Sequence, residues 1–190
     1  MRVKYNAPTV LSFTLLCAAV LLLSQTLFPH LIENWFLVPG RGNFHANSFR
    51  NWITILTHIA GHANWSHLIN NFTLILLIGP MLEESYGSIS LLEMMVITAF
   101  VTGVFNALFF RTYLMGASGV VFMMILLSSF TNFSKGEVPL TFILVLILYL
   151  GVQLFNAFTS SDNISHFAHI AGGLCGSFFG FFNPPKGGKR

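Results

Sequence analysis

The feature that most constrains this chain is a succession of apolar runs of membrane length, joined by short polar stretches. They fall at 8–28, 65–82, 89–109, 115–130, 139–158 and 165–182. A bilayer span needs about 20 largely apolar residues. In lipid every backbone N–H and C=O must be paired inside the protein, so only helices and closed barrels cross. The runs show no strict apolar–polar alternation, which favours helices. Only 8% of the 190 residues are charged and 54% are hydrophobic, whereas a soluble domain carries about 25% charged residues. The expectation is an all-α membrane protein, one domain over 1–190, with six transmembrane helices in a bundle.

The joints carry their own signals. The first run follows a basic start (Arg2, Lys4). Its long apolar core and the segment Ser24-Gln25-Thr26, which offers no small-x-small cleavage site, argue for a retained span. Residues 29–56 are mixed and aromatic, with Trp35 and Trp52, and suit an interfacial loop. Glu83, Glu84 and Gly87 are read as a tight polar turn after the second span. Basic residues near the span ends set orientation. Arg2, Lys4, Lys135, Lys186, Lys189 and Arg190 fall on one side, and Arg41, Arg50 and Arg111 on the other. This places both termini in the cytoplasm. The net charge of +3 then reports topology and not nucleic-acid binding. Cys17 and Cys175 lie in apolar runs and offer neither a disulfide framework nor a metal spacing.

Under that topology spans two, four and six start at the outer face. His67 and Asn71 lie in the first turns of span two, Ser118 at the head of span four, and His169 about a turn into span six. Each is within roughly 5–10 Å of its helix start. These polar groups on three segments share one depth, which points to one site. Intramembrane ionisable groups are costly and by default functional.

A serine hydroxyl is a weak nucleophile until a base takes its proton. An imidazole, with an ordinary pKa of about 6.5, suits that role. No acid shares the depth, so Ser118 and His169 form a dyad and not a triad. His67 and Asn71, four apart on one helix face, would donate hydrogen bonds to a developing oxyanion, with the Ser118 N–H. Phe122, one turn below Ser118, would stack on the imidazole. Gly172, Gly176 and Gly180 repeat every four residues with His169 on the same stripe, a smooth face for span four at Ser118-Gly119. Each feature alone has a plainer reading. Gly116-Ala117-Ser118-Gly119 has the composition of a helix-packing face, and His67 and Asn71 suit interhelical hydrogen bonds. His58 and His62 are also four apart, but no carboxylate or thiolate completes a metal site. A role in holding loop and helix is favoured, with no metal and no cofactor.

At these residues the chain resembles the rhomboid intramembrane serine proteases of the six-span bacterial type. The resemblance rests on His62-x4-His67-x3-Asn71, Glu83-x3-Gly87-Ser88, Gly116-x-Ser118-Gly119 and Ala168-His169-x2-Gly172-x3-Gly176, in that order. It implies Ser118 as nucleophile, His169 as general base, and His67, Asn71 and the Ser118 amide around the oxyanion. It implies that Glu83 ties the cytoplasmic helix ends together, and that His62, Gly116, Gly119, Phe122, Gly172 and Gly176 support the site. Phe122 stands where the family often has Tyr, and the first loop has Trp52 and Arg50 but no clear Trp-Arg pair. The implied activity is cleavage of transmembrane protein substrates near the outer leaflet, in a bacterial inner membrane. Span five and the 156–165 loop, with Phe155 and Phe158, would form a lateral gate. A non-proteolytic rhomboid-like chaperone and a metal or proton transporter are the alternatives. The expected partners are transmembrane protein substrates and the lipid bilayer, with no nucleic acid.

Overall fold

The computed structural model describes residues 4–131, 138–151, 163–183 and 185. Within them the chain is helical: α1 (Pro8–Thr26), α2 (Leu31–Trp35), α3 (Phe49–Thr57), a 3-10 turn (His58–Ala60), α4 (Trp65–Tyr86), α5 (Ser88–Phe109), α6 (Ser118–Ser128), α7 (Leu140–Val145) running into a π-helical turn (Leu146–Leu150), and α8 (Asn163–Phe182). Among the described residues the only strand-like feature is a single bridge, Val38 with Leu114. Among the described residues three helices, α1, α4 and α5, are long and apolar enough to cross a membrane. Exposed Leu15, Leu22, Leu77, Leu92, Leu108 and Leu174 spread apolar surface over α1, α4, α5 and α8, as lipid contact requires.

Short α6 is the hub. Every residue from Gly119 to Leu127 is buried, the pattern of a helix enclosed on all sides. Its most extensive neighbour is α8, followed among its partners by α4. The glycine stripe on α8 explains the closeness. A Cβ placed on Gly172 would sit 2.0 Å from the Gly119 carbonyl oxygen, and one on Gly176 2.2 Å from that of Met123. Small residues allow backbones to touch in this way where lipid offers no hydrophobic drive. The same device joins α1 to α4, where a Cβ on Gly79 would meet Val10 at 2.7 Å.

Two expected boundaries need correction. The second span does not end at Leu82 in a polar turn: α4 continues through Glu83 to Tyr86, and Gly87, at φ +90°, makes the turn to α5. The reason is that the Glu83 carboxylate is not solvated. It is buried and accepts from the Thr9 N–H at 2.9 Å and the Val10 N–H at 3.0 Å. It thereby caps α1, whose own N-cap residue Ala7 has no side chain for the task. An anion at a helix N-terminus also complements the helix dipole. Thr9 donates in turn to the Ser88 carbonyl at 3.0 Å, so α1, α4 and α5 are knotted at one end. Likewise the fourth span does not begin at Met115. Residues 115–117 are a non-helical approach, and helix starts at Ser118.

Residues 29–56 are not simply a loop, since α2 and most of α3 lie within them. Trp52 donates to the Ala46 carbonyl at 2.8 Å and meets Phe44 edge-on at 5.5 Å, while Arg50 donates to Asn34 at 3.2 Å. The segment is also pinned to the strand-like approach to α6. Val38 and Leu114 exchange backbone hydrogen bonds at 3.0 and 3.1 Å, and a Cβ on Gly40 would strike the Thr112 carbonyl oxygen at 2.5 Å. The fifth span is described only as far as residue 151. The gate residues Phe155 and Phe158 and most of the 156–165 loop lie outside the described residues.

Candidate active site

Ser118 opens α6 because the preceding backbone turns sharply at Gly116. That residue has φ +112°, a region that favours glycine. A Cβ there would also sit 2.7 Å from the His67 ring and 3.8 Å from Asn71 Nδ2. Gly116 therefore lets the donor face of α4 approach within two residues of Ser118. Its N–H is tied to the His58 carbonyl at 2.9 Å, and the Asn106 amide donates to the Thr112 carbonyl at 3.1 Å. The approach to Ser118 is thus fixed from the 3-10 turn, α5 and the first loop together.

On the other side, His169 reaches the same level from α8. Its ring stacks on Phe122 with centroids 4.2 Å apart and planes 9° from parallel. Phe122 is one turn along from Ser118. A Cβ on Gly119 would lie 3.5 Å from the carbonyl oxygen of Ala168, the residue before His169. Serine and histidine are both half-buried, so the site is reachable while its walls are packed. Ser118, His169, His67, Asn71, Gly116, Gly119, Phe122 and Gly172 are therefore brought to one end of the bundle. Glu83 sits at the opposite end, and Gly176 lies a turn further along α8.

Polar groups with nothing to bond to mark the interior of this region. Asn71 is buried and its Nδ2 has no partner, whereas adjacent Asn70 is exposed. Buried donors are almost always paired, so an idle amide beside Gly116 is unusual. His62 is fully buried. Its Nδ1 donates to the Ala60 carbonyl at 3.4 Å, its Nε2 is unpartnered, and its ring meets His67 at 5.0 Å and Phe72 at 5.6 Å. Burial pushes the His62 pKa down to about 4; charge on His67 lowers it further and the Ala60 carbonyl opposes the shift. His58 is also pushed down to about 4 by burial, against the opposing hydrogen bonds to Ile55 and Thr54. Both are neutral near pH 7. His58 donates through Nδ1 to the Ile55 carbonyl at 2.9 Å and faces the Thr102 hydroxyl across 3.3 Å.

Thr102 and Asn106 were not among the residues expected to matter. With Thr98 they lie at intervals of four in an otherwise apolar run. That spacing puts them on one buried face, and was the available signal. The Val38–Leu114 pairing left no mark in the sequence.

Comparison with known proteins adds an independent line. Residues 50–185 match the family model described as the Rhomboid domain. RHOMBOID-like protein 4 of Arabidopsis thaliana is 31% identical over 124 residues, which is 63% of this chain and 31% of that protein. RHOMBOID-like protein 6, mitochondrial, of the same plant is 27% identical over 177 residues, 84% of this chain and 56% of that protein. The chain thus spans about a third to just over half of these two relatives. Rhomboid protease GlpG of Haemophilus influenzae is 23% identical over 176 residues, 91% of this chain and 89% of that protein. The domain match takes in α3 to α8 and every side chain of the candidate site, and on that basis the chain belongs to the rhomboid family of integral membrane proteins.

Proposed function

We propose that this protein is an intramembrane serine endopeptidase that cleaves transmembrane protein substrates near the outer leaflet. The observation that carries the reading is the meeting of α6 and α8 at Gly119 and Gly172, with His169 stacked on Phe122 beside Ser118. The family and the similarity to a rhomboid protease support it.

In this reading Ser118 Oγ attacks the scissile carbonyl carbon as its proton passes to the His169 imidazole. The carbonyl oxygen takes the negative charge and is held by the Ser118 N–H, Asn71 Nδ2–H and His67. In this reading the unpartnered Asn71 donor serves a charge that exists only during reaction, and preorganised donors of this kind lower the barrier without reorganisation. His169 then gives its proton to the leaving amine. Water, activated by the same imidazole, hydrolyses the acyl-enzyme. The Phe122 face holds the imidazole plane, the orienting part of what the acid of a triad does by hydrogen bonding.

The chain is further read as one six-helix domain, with spans four, five and six joining the three long helices, both termini cytoplasmic and span five as the entry side. A substrate helix must partly unwind there, because its peptide bonds are internally hydrogen-bonded. The test is labelling of the purified protein with a fluorophosphonate. Wild type is expected to label, and Ser118→Ala and His169→Ala to lose the label. Labelling that survives Ser118→Ala refutes the assignment.

A further inference from the structure

At the end of the bundle away from Ser118, one membrane helix carries an acid it does not pair. Glu93 is exposed on α5, five residues beyond Ser88, or about 7.5 Å along the axis. Among the described residues the one ion pair is His30 with Glu33, so no described cation answers Glu93. Carboxylates inside membrane helices are rare and normally have a partner. Glu93 lines a pocket with Tyr86, Ser90 and Asn183, closed by the ends of α4, α5 and α8. Tyr86 is only 3% exposed and its hydroxyl has no hydrogen-bond partner. The pocket is thus lined by one acidic side chain, Glu93, and by the oxygen-bearing side chains of Ser90 and Asn183, with the buried, unpartnered Tyr86 hydroxyl in its wall.

This pocket does not stand alone. Ile97 and Phe179 line both it and a second, almost wholly apolar groove between α5 and α8. That groove continues past Val101, Leu174 and Phe178 to Phe105 and Phe167. From Ile97 to Phe105 it follows α5 for about 12 Å. A polar, anionic head thus opens into an apolar trough running along the membrane helices. We propose that the two together bind a single phospholipid with a primary-ammonium headgroup, the ammonium at Glu93 and one acyl chain in the α5–α8 groove. A primary ammonium has three N–H donors. Glu93, with the oxygens of Tyr86, Ser90 and Asn183, supplies one charge and enough acceptors to match them. A quaternary ammonium has no N–H to donate, and an anionic headgroup without an amine is repelled. The site lies on the far side of α8 from the α6 contact and is independent of the chemistry at Ser118.

The test uses the full chain in mild detergent, with retained lipid read by native mass spectrometry. Phosphatidylethanolamine, phosphatidylcholine and phosphatidylglycerol of identical acyl chains are each supplied. One phosphatidylethanolamine per protein is expected, preferred by about tenfold over the other two. Glu93→Gln is expected to abolish the preference, and Leu174→Trp to lower retention of all three lipids by filling the groove. Size-exclusion profiles and melting curves matching wild type show that both variants fold. Equal retention of the three lipids, or a preference that survives Glu93→Gln, overturns the proposal. A third variant, Lys186→Gln/Lys189→Gln/Arg190→Gln, asks whether the chain's own tail supplies the cation. Unchanged lipid retention supports the lipid site, whereas retention seen only in this variant overturns it. A lipid-free dimer disrupted by Leu174→Trp overturns it too, by giving the groove to a second copy.

Discussion

Gly172→Ala adds one methyl group at the tightest point of the molecule. In an ordinary helix the change is stabilising by about 0.5–1 kcal/mol, since alanine loses less backbone freedom on folding. Here the new Cβ would lie 2.0 Å from the Gly119 carbonyl oxygen and 2.9 Å from its Cα, where ordinary contact begins at 3.4 Å. Both neighbours are backbone, so no side chain can swing away. α6 and α8 must separate by about 1.4 Å at this level, the difference between the two distances. Overpacking of this kind costs about 1–3 kcal/mol, so a net loss of about 1–2 kcal/mol is expected. His169 lies three residues earlier on the same face of α8 and moves with it. A displacement of about 1 Å at a reacting pair costs about 100-fold in rate. The assay is the rate of fluorophosphonate labelling together with kcat on a transmembrane substrate in detergent, beside the melting temperature. Gly151→Ala, with open space around the added methyl, is the control: it should leave the labelling rate unchanged and raise the melting temperature slightly. A Gly172→Ala variant that labels at the wild-type rate and melts at or above the wild-type temperature would refute the reasoning that this contact sets the distance between serine and histidine.

Asn71→Ala removes the idle donor beside Gly116 and should lower kcat by about 100-fold or more with little change in KM; steady-state kinetics with a melting curve separates this from misfolding. Glu83→Ala deletes both caps of α1, each hydrogen bond to a charged group being worth about 1.5–3 kcal/mol, and should destabilise by about 3–6 kcal/mol with the site's labelling chemistry retained below the melting point. Acid should unfold the protein through His58 and His62. Their folded pKa values, about 4, lie below the ordinary 6.5, so the unfolded chain binds more protons in between. Stability is therefore full above about pH 6.5 and lost as pH falls toward 4, by on the order of 3 kcal/mol for each histidine. Melting temperature measured across that range should fall less in His62→Gln than in wild type.

The order of apolar runs and the few polar residues inside them were enough to read a helical membrane protein and to nominate Ser118, His169, His67 and Asn71. Burying a hydroxyl or an imidazole in such a run is expensive, so the exceptions announce themselves. Glycine spacing on α8 announced a close contact too, because period four defines one helix face. What the sequence could not carry was partnership between segments far apart along the chain. Glu83 looked like a solvated turn because nothing local reveals that the N-terminus of α1, more than seventy residues earlier, lacks a cap of its own. The Val38–Leu114 pairing and the hold of His58 on Gly116 are backbone hydrogen bonds, blind to side-chain identity. They decide where the residues before Ser118 run and why α6 begins there. Pattern reports which face of an element must be buried; only the assembled bundle decides what it is buried against, because that depends on the packing of all the helices at once.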